Sequence, residues 1–364
     1  MSKPNSFRFV SADSHVNEPL SLFRERCPSA LQDRVPRFEE VDGGSLLLIE
    51  GLRPRKMPGG IDMEKADLAG AAQAGGWDPA RRMADQDADG VAAEVVFPTM
   101  ALQACFSTPD PVLQMALARA YNDWAIEIFS PHPNRFAVAG ICPVLDLEEA
   151  AREARRLVDA GIRCLMLPAL VADRPYNDAA YDDFWALAVE LGVPLTFHSG
   201  TGHEPRVARG PGGAVINYLL GSQIDGAHVM LHFSAGGALD RFPGLRIVTV
   251  ETGAGWLAWV MTQADEIYDR HHMWASPKLS CKPSELIRRQ CHATFQHDPV
   301  AVKNRDVTGI EPLMWGSDYP HPEGTWPESQ RICADQLSGV GEADQRAILR
   351  DNAAKVFGFD LSGV

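Results

Sequence analysis

Residues 163–200 read RCLMLPALVADRPYNDAAYDDFWALAVELGVPLTFHSG. An apolar run (163–169) passes through a polar connection into 179–191, where apolar residues recur at helical spacing. A second apolar run, VPLTFHS (193–199), follows. Strand, helix and strand in that order make a crossover unit, and near-continuous apolar runs of this length suit parallel strands covered on both faces. The same alternation extends outward in both directions. Apolar runs lie at 7–12, 92–98, 135–144, 163–169, 193–199, 227–233, 245–251 and 312–318, with helical patterns at 109–130, 146–160, 179–191, 255–270 and 283–290. Eight such runs predict a (β/α)8 TIM barrel, with insertions taking up the excess over about 250 residues.

One insertion is legible. Residues 34–62 carry VPRFEEV, a DGG turn and SLLLIEG, then the Pro/Gly-rich LRPRKMPGGI. That order predicts a small hairpin and flap after the first strand, too short for a core of its own. Residues 342–358 predict a closing helix, and the chain, 1–364, reads as one domain. Lys and Arg number 34 against 48 Asp and Glu, a net charge of −14. This balance argues against nucleic acid or an anionic membrane as partner and leaves a small molecule. No apolar run is long enough to span a bilayer, and the start has no apolar signal core. The seven cysteines (27, 105, 142, 164, 281, 291 and 333) form no C-x-x-C pair. They read as reduced thiols of a cytoplasmic protein.

The strand ends carry the chemistry. In a barrel the carboxyl ends of all the strands converge on one mouth, so residues distant in sequence become neighbours. Asp13 and His15 share one face of the extended segment SADSHV. His198 closes the fifth run, His232 the sixth (VMLHFSAGG), Glu251 the seventh (LRIVTVE) and Asp318 the eighth (LMWGSDYPHP). One histidine at a strand end is more often structural than ligating. Asp13, His15, His198, His232 and Asp318 together resist explanation as packing, because each buried unpaired ionisable group costs several kcal/mol. The Asp, His, His, Asp set suits one divalent metal ion, Zn2+ or Mn2+, with a position open for water. Candidate substrate contacts are Glu18, His203, Arg241, Glu251 and His321. Glu18, in NEP, also reads as the acidic first turn of a helix.

The segments DSHVNEP (13–19), TFHSG (196–200), LHFSAGG (231–237) with RFPGLRIVTVE (241–251), and GSDYPHP (316–322) together resemble the amidohydrolase superfamily. More narrowly they resemble its branch of aminocarboxymuconate semialdehyde decarboxylase and the aromatic acid decarboxylases, over about residues 8–358. The resemblance implies metal ligands Asp13, His15, His198 and Asp318, with His232 and Asp318 as catalytic groups and a homodimeric barrel. It implies non-oxidative decarboxylation of a small carboxylated, aromatic or cyclic, substrate. The same site would support hydrolysis of an ester, lactone or amide, and the motifs leave that choice open. A non-catalytic barrel is a remote third reading, because every ligand position is filled. Asp13 stands where many members carry histidine, which hardens the site toward Mn2+. Ala235 stands where several decarboxylases carry glutamate. A carboxylated substrate needs a cationic partner, for which Arg241, Arg53, Arg55 or an arginine of a neighbouring subunit are the candidates.

Overall fold

The computed structural model describes residues 7–42, 44–58, 74–171, 174–202, 208–271 and 273–362. Eight parallel strands form one curled sheet: Phe9–Ser11, Val91–Pro98, Phe136–Ile141, Cys164–Pro168, Leu195–His198, Ile247–Val250, Cys291–Phe295 and Leu313–Trp315. Each pairs with the next, and His15–Val16 extends the first strand along Phe97–Pro98 of the second. The ring closes where the Ala12 amide donates to Trp315 O at 3.0 Å and the His15 amide to Tyr319 O at 2.6 Å. This is the (β/α)8 barrel that the alternation predicts. Every residue of the second to sixth strands is buried, since helices cover the outside and side chains fill the inside. That two-sided burial is why these strands read as unbroken apolar runs. Asp78, Asp110 and Asp146 accept first-turn amides of the helices Pro79–Asp89, Pro111–Phe129 and Leu147–Asp159, fixing where each begins.

Two strand assignments need correction. The run at 227–233 is not the sixth strand, because Ile224–Ser234 form a helix. Gly226, Val229, Met230 and Phe233 are buried at helical spacing, while His228, Leu231 and His232 are half-buried on its other side. A short run this apolar fits either element, and periodicity cannot decide between them. The run at 245–251 therefore holds the sixth strand, and the seventh is Cys291–Phe295. Its sequence, CHATF, contains a histidine, a threonine and a small alanine, too little apolar character to stand out.

The insertion forms a three-stranded antiparallel sheet, Arg37–Val41, Gly44–Leu48 and Arg55–Pro58. The first two strands form a hairpin, and Arg55–Pro58 adds the third strand. Residues 59–62 lie outside the described residues. Helical structure runs from Glu342 to Phe357, with a wider turn over Ala347–Asp351. All seven cysteines are free thiols, six of them buried. Among the described residues, no helix is long and apolar enough to cross a membrane.

Candidate metal centre

The site grows from the two histidines. His15 Nδ1 lies 2.8 Å from Pro98 O, and His198 Nδ1 lies 2.9 Å from Ser199 O. A carbonyl oxygen only accepts, so each Nδ1 carries hydrogen and each neutral ring presents a lone pair at Nε2. The two Nε2 atoms are 3.1 Å apart, in rings inclined at 85°. Two lone pairs at that distance repel each other unless a cation, a proton or a metal ion, lies among them.

Carboxylates surround this pair. Asp13 Oδ1 is 3.7 Å from His15 Nε2 and 3.8 Å from His198 Nε2. Asp318 Oδ1 is 3.4 Å from His15 Nε2. Glu251 Oε2 is 3.3 Å from His198 Nε2 and 3.6 Å from His15 Nε2. His321 stacks on His15 with ring centres 4.1 Å apart, and its Nδ1 meets Asp318 Oδ1 at 3.0 Å. Asp13 and Asp318 are fully buried, and Asp13 Oδ1 and Asp318 Oδ2 have no hydrogen-bond partner. The electrostatics follow from this crowding. Burial, then Asp318, pushes the Glu251 carboxyl up to about 8. Burial, then Asp13, pushes Asp318 well above the usual carboxylate range. Burial opposes a charge on His198, yet Asp13 and Glu251 raise it to about 9. Burial lowers His15, assisted by His321 and His198. Such a cluster takes up protons or a metal ion, and its mixed nitrogen and oxygen donors fit a divalent ion of the Mn2+ or Zn2+ type.

Local backbone holds these groups in place. Glu251 and Asp318, just past the ends of the sixth and eighth strands, are the only non-glycine residues with positive φ among the described residues, 55° and 56°. The left-handed region costs an ordinary residue about 1–2 kcal/mol, so the strain is concentrated where two carboxylates must turn into the mouth. The Glu251 amide donates to Thr294 Oγ1 at 2.9 Å, and the Asp318 amide donates to Asp13 O at 2.9 Å. Beside Glu251, a cavity of about 340 Å³ opens between the sixth and seventh strands. Tyr218, Trp256, Phe295, Gln296 and Asp298 line it, and no arginine or lysine does so among the described residues.

A family model described as amidohydrolase matches residues 12–359. The chain belongs to the amidohydrolase family. Gamma-resorcylate decarboxylase of Rhodococcus jostii is 27% identical over 276 residues, covering 69% of this chain and 79% of that relative. A solved amidohydrolase from Mycobacterium avium subsp. paratuberculosis superposes with a TM-score of 0.81 at 21% identity, over 97% of this chain and 100% of that one. The dihydroxybenzoic acid decarboxylase of Polaromonas sp. JS666, solved with manganese and the inhibitor 2-nitroresorcinol, gives a TM-score of 0.65 at 18% identity, over 97% of each chain.

Of the residues expected at the mouth of this amidohydrolase, Asp13, His15, His198, Glu251, Asp318 and His321 come together. Glu251 does so from the sixth strand rather than the seventh. His232 stands apart on its helix, where Nδ1 pairs with Asn177 Oδ1 at 2.9 Å. The Glu18 carboxylate accepts the amides of Thr99, at 3.0 Å, and Ala101, binding the end of the first strand to the chain after the second. This is a structural role rather than a substrate contact. Arg241 pairs with Asp182 at 2.7 Å, away from the cavity lining, and Arg53 and Arg55 are exposed on the insertion. His203 lies outside the described residues. Three contributors escaped the sequence reading. Gln296 Nε2 donates to Asp13 Oδ2 at 3.3 Å, but its strand was not recognised. The Tyr218 hydroxyl donates to Glu251 Oε1 at 3.2 Å from a stretch with no motif. Arg82, fully buried, donates to His15 O at 2.6 Å, pairs with Glu94 and lies 4.9 Å over the Tyr319 ring. A doublet of arginines on an amphipathic helix gives no sign that one of them turns inward.

Proposed function

We propose that this amidohydrolase is a metal-dependent, non-oxidative decarboxylase of a small aromatic carboxylate. The observation that carries the reading is the pair of lone-pair-bearing Nε2 atoms, 3.1 Å apart, ringed by buried carboxylates beside an aromatic-lined cavity. The decarboxylases among its relatives, one solved with manganese, support the same choice. Asp13, His15, His198 and Asp318 hold the ion, Mn2+ or Zn2+. Bound there, it supplies positive charge that binds an anionic substrate and stabilises the charge that develops on it.

The chain's own groups do the rest. Tyr218, Trp256 and Phe295 offer flat surfaces that orient a ring and exclude water. Asp318, which would meet the ion through Oδ1, delivers a proton from Oδ2, an atom without another partner. That proton passes to the ring carbon bearing the carboxylate. A C–H bond forms, the C–C bond breaks with its electron pair returning to the ring, and carbon dioxide leaves. His321, 3.0 Å from Asp318 Oδ1, links the aspartate to solvent for reprotonation.

One observation favours hydrolysis of an ester, lactone or amide as a second reading, namely the cavity lining without arginine or lysine among the described residues. A panel of aromatic carboxylates and of esters, lactones and amides, scored for carbon dioxide against acid release, separates the two. Release of acid alone overturns decarboxylation. Metal analysis is expected to find about one ion per chain, lost in Asp13→Ala and His198→Ala; unchanged content in both variants removes the site. A cytoplasmic homodimer belongs to the same proposal. It is supported by the free thiols and by the exposed Val215, Ile216, Leu219 and Leu220 on one helical stretch near the mouth, and sedimentation tests it.

A further inference from the structure

The geometry points to Glu251 as a fifth, direct ligand of the metal ion, standing at the strand end where a catalytic imidazole is expected. The inference rests on the metal-centre reading above and adds a donor to it. The sixth barrel strand is Ile247–Val250, so the group at its end is Glu251, and the histidine of the LHFSAGG segment lies on the preceding helix.

Donor atoms about 2.1 Å from a common ion lie roughly 3.0–3.4 Å apart when they are adjacent in octahedral or tetrahedral geometry. Glu251 Oε2, at 3.3 and 3.6 Å from the two Nε2 atoms, matches that spacing better than Asp13 Oδ1 does at 3.7 and 3.8 Å. Its two oxygens have separate tasks. Oε1 is taken by the Tyr218 hydroxyl at 3.2 Å, which leaves Oε2 facing the imidazoles. The left-handed backbone at φ 55°, fixed by the Thr294 hydroxyl, directs the side chain inward. Independently, the buried Asp13 Oδ1 and Asp318 Oδ2 lack any partner in a site that already holds two imidazole lone pairs. The resulting set is two nitrogens and three carboxyl oxygens, a harder shell than four ligands give, which shifts the preference toward Mn2+ relative to Zn2+.

The test titrates the full chain, stripped of metal, with Mn2+ alone and Zn2+ alone. It follows free Mn2+ by electron paramagnetic resonance and heat by calorimetry, for the parent, Glu251→Gln, Glu251→His and Asp13→Ala, with circular dichroism to check each fold. Glu251→Gln is expected to weaken Mn2+ at least tenfold and Zn2+ less. Glu251→His, which returns a nitrogen donor if the amide variant misfolds, is expected to move the Mn2+/Zn2+ preference at least tenfold toward Zn2+. Mn2+ affinity within twofold of the parent in a folded Glu251→Gln, while Asp13→Ala loses it, overturns the fifth ligand and leaves the metal centre standing. A parent that binds neither ion overturns both.

Discussion

Glu18 and Arg82 show how single side chains are committed to building the mouth rather than to chemistry within it. Glu18 is buried, and burial pushes its carboxyl from an ordinary 4.5 up to about 7 despite the amides it accepts. The folded chain therefore keeps that proton to higher pH than the unfolded chain does. This group's contribution to stability is greatest below about 4.5, is lost as pH rises toward 7 and then levels, a change on the order of 3 kcal/mol. Glu18→Gln is expected to flatten this part of the profile of melting temperature against pH, and an unchanged slope would remove the assignment. Arg82 and Glu94 form an ion pair in which both side chains are about 1% exposed. Removing one partner strands a buried charge, whereas removing both does not. Arg82→Met should cost about 3–5 kcal/mol in urea unfolding, and Arg82→Met with Glu94→Leu should regain most of it. A single variant as stable as the parent would show that the pair contributes little.

At the scale of elements, the histidine that looked most catalytic sits on a helix. The hydrophobic face of Ile224–Ser234 is wide enough that AHVMLHF passes for a buried strand, whereas CHATF, a real strand, carries one large apolar residue, Phe295, among small and polar ones. What the sequence discloses well is what repetition enforces: parallel strands buried on both faces, capped helices between them, and ionisable side chains at strand ends. Asp13, His15, His198 and Asp318 were legible because their motifs sit on correctly read strands. Gln296 and Tyr218 were not, because one directly follows the hidden strand and the other lies in a stretch without a motif. His232→Asn should accordingly retain metal and turn over substrate within about twofold of the parent, far from the loss of about 10²–10⁴ that removal of an acid–base group brings. A loss of that size in steady-state assays would return His232 to the mechanism.

For the molecule as a whole, the centre gathers buried carboxyls and imidazoles inside a chain of net charge −14, and an ion bound among them would stabilise that arrangement. Chelation is expected to lower the melting temperature, and added Mn2+ to restore it in a concentration-dependent way, by about 2.7 kcal/mol at a hundred times Kd. A melting temperature indifferent to chelator would separate the site from folding stability. The barrel closes where Ala12 and His15 donate to Trp315 and Tyr319, and where Asp318 donates to Asp13. Asp13 and His15 lie on one side of that closure and Asp318 on the other, so an ion held by all three clasps the two ends of the chain together. The amide hydrogens of Ala12, His15 and Asp318 then become gauges of occupancy. Their exchange with heavy water should slow when the clasp is loaded and quicken when it is stripped, letting ion binding be followed with no substrate in hand.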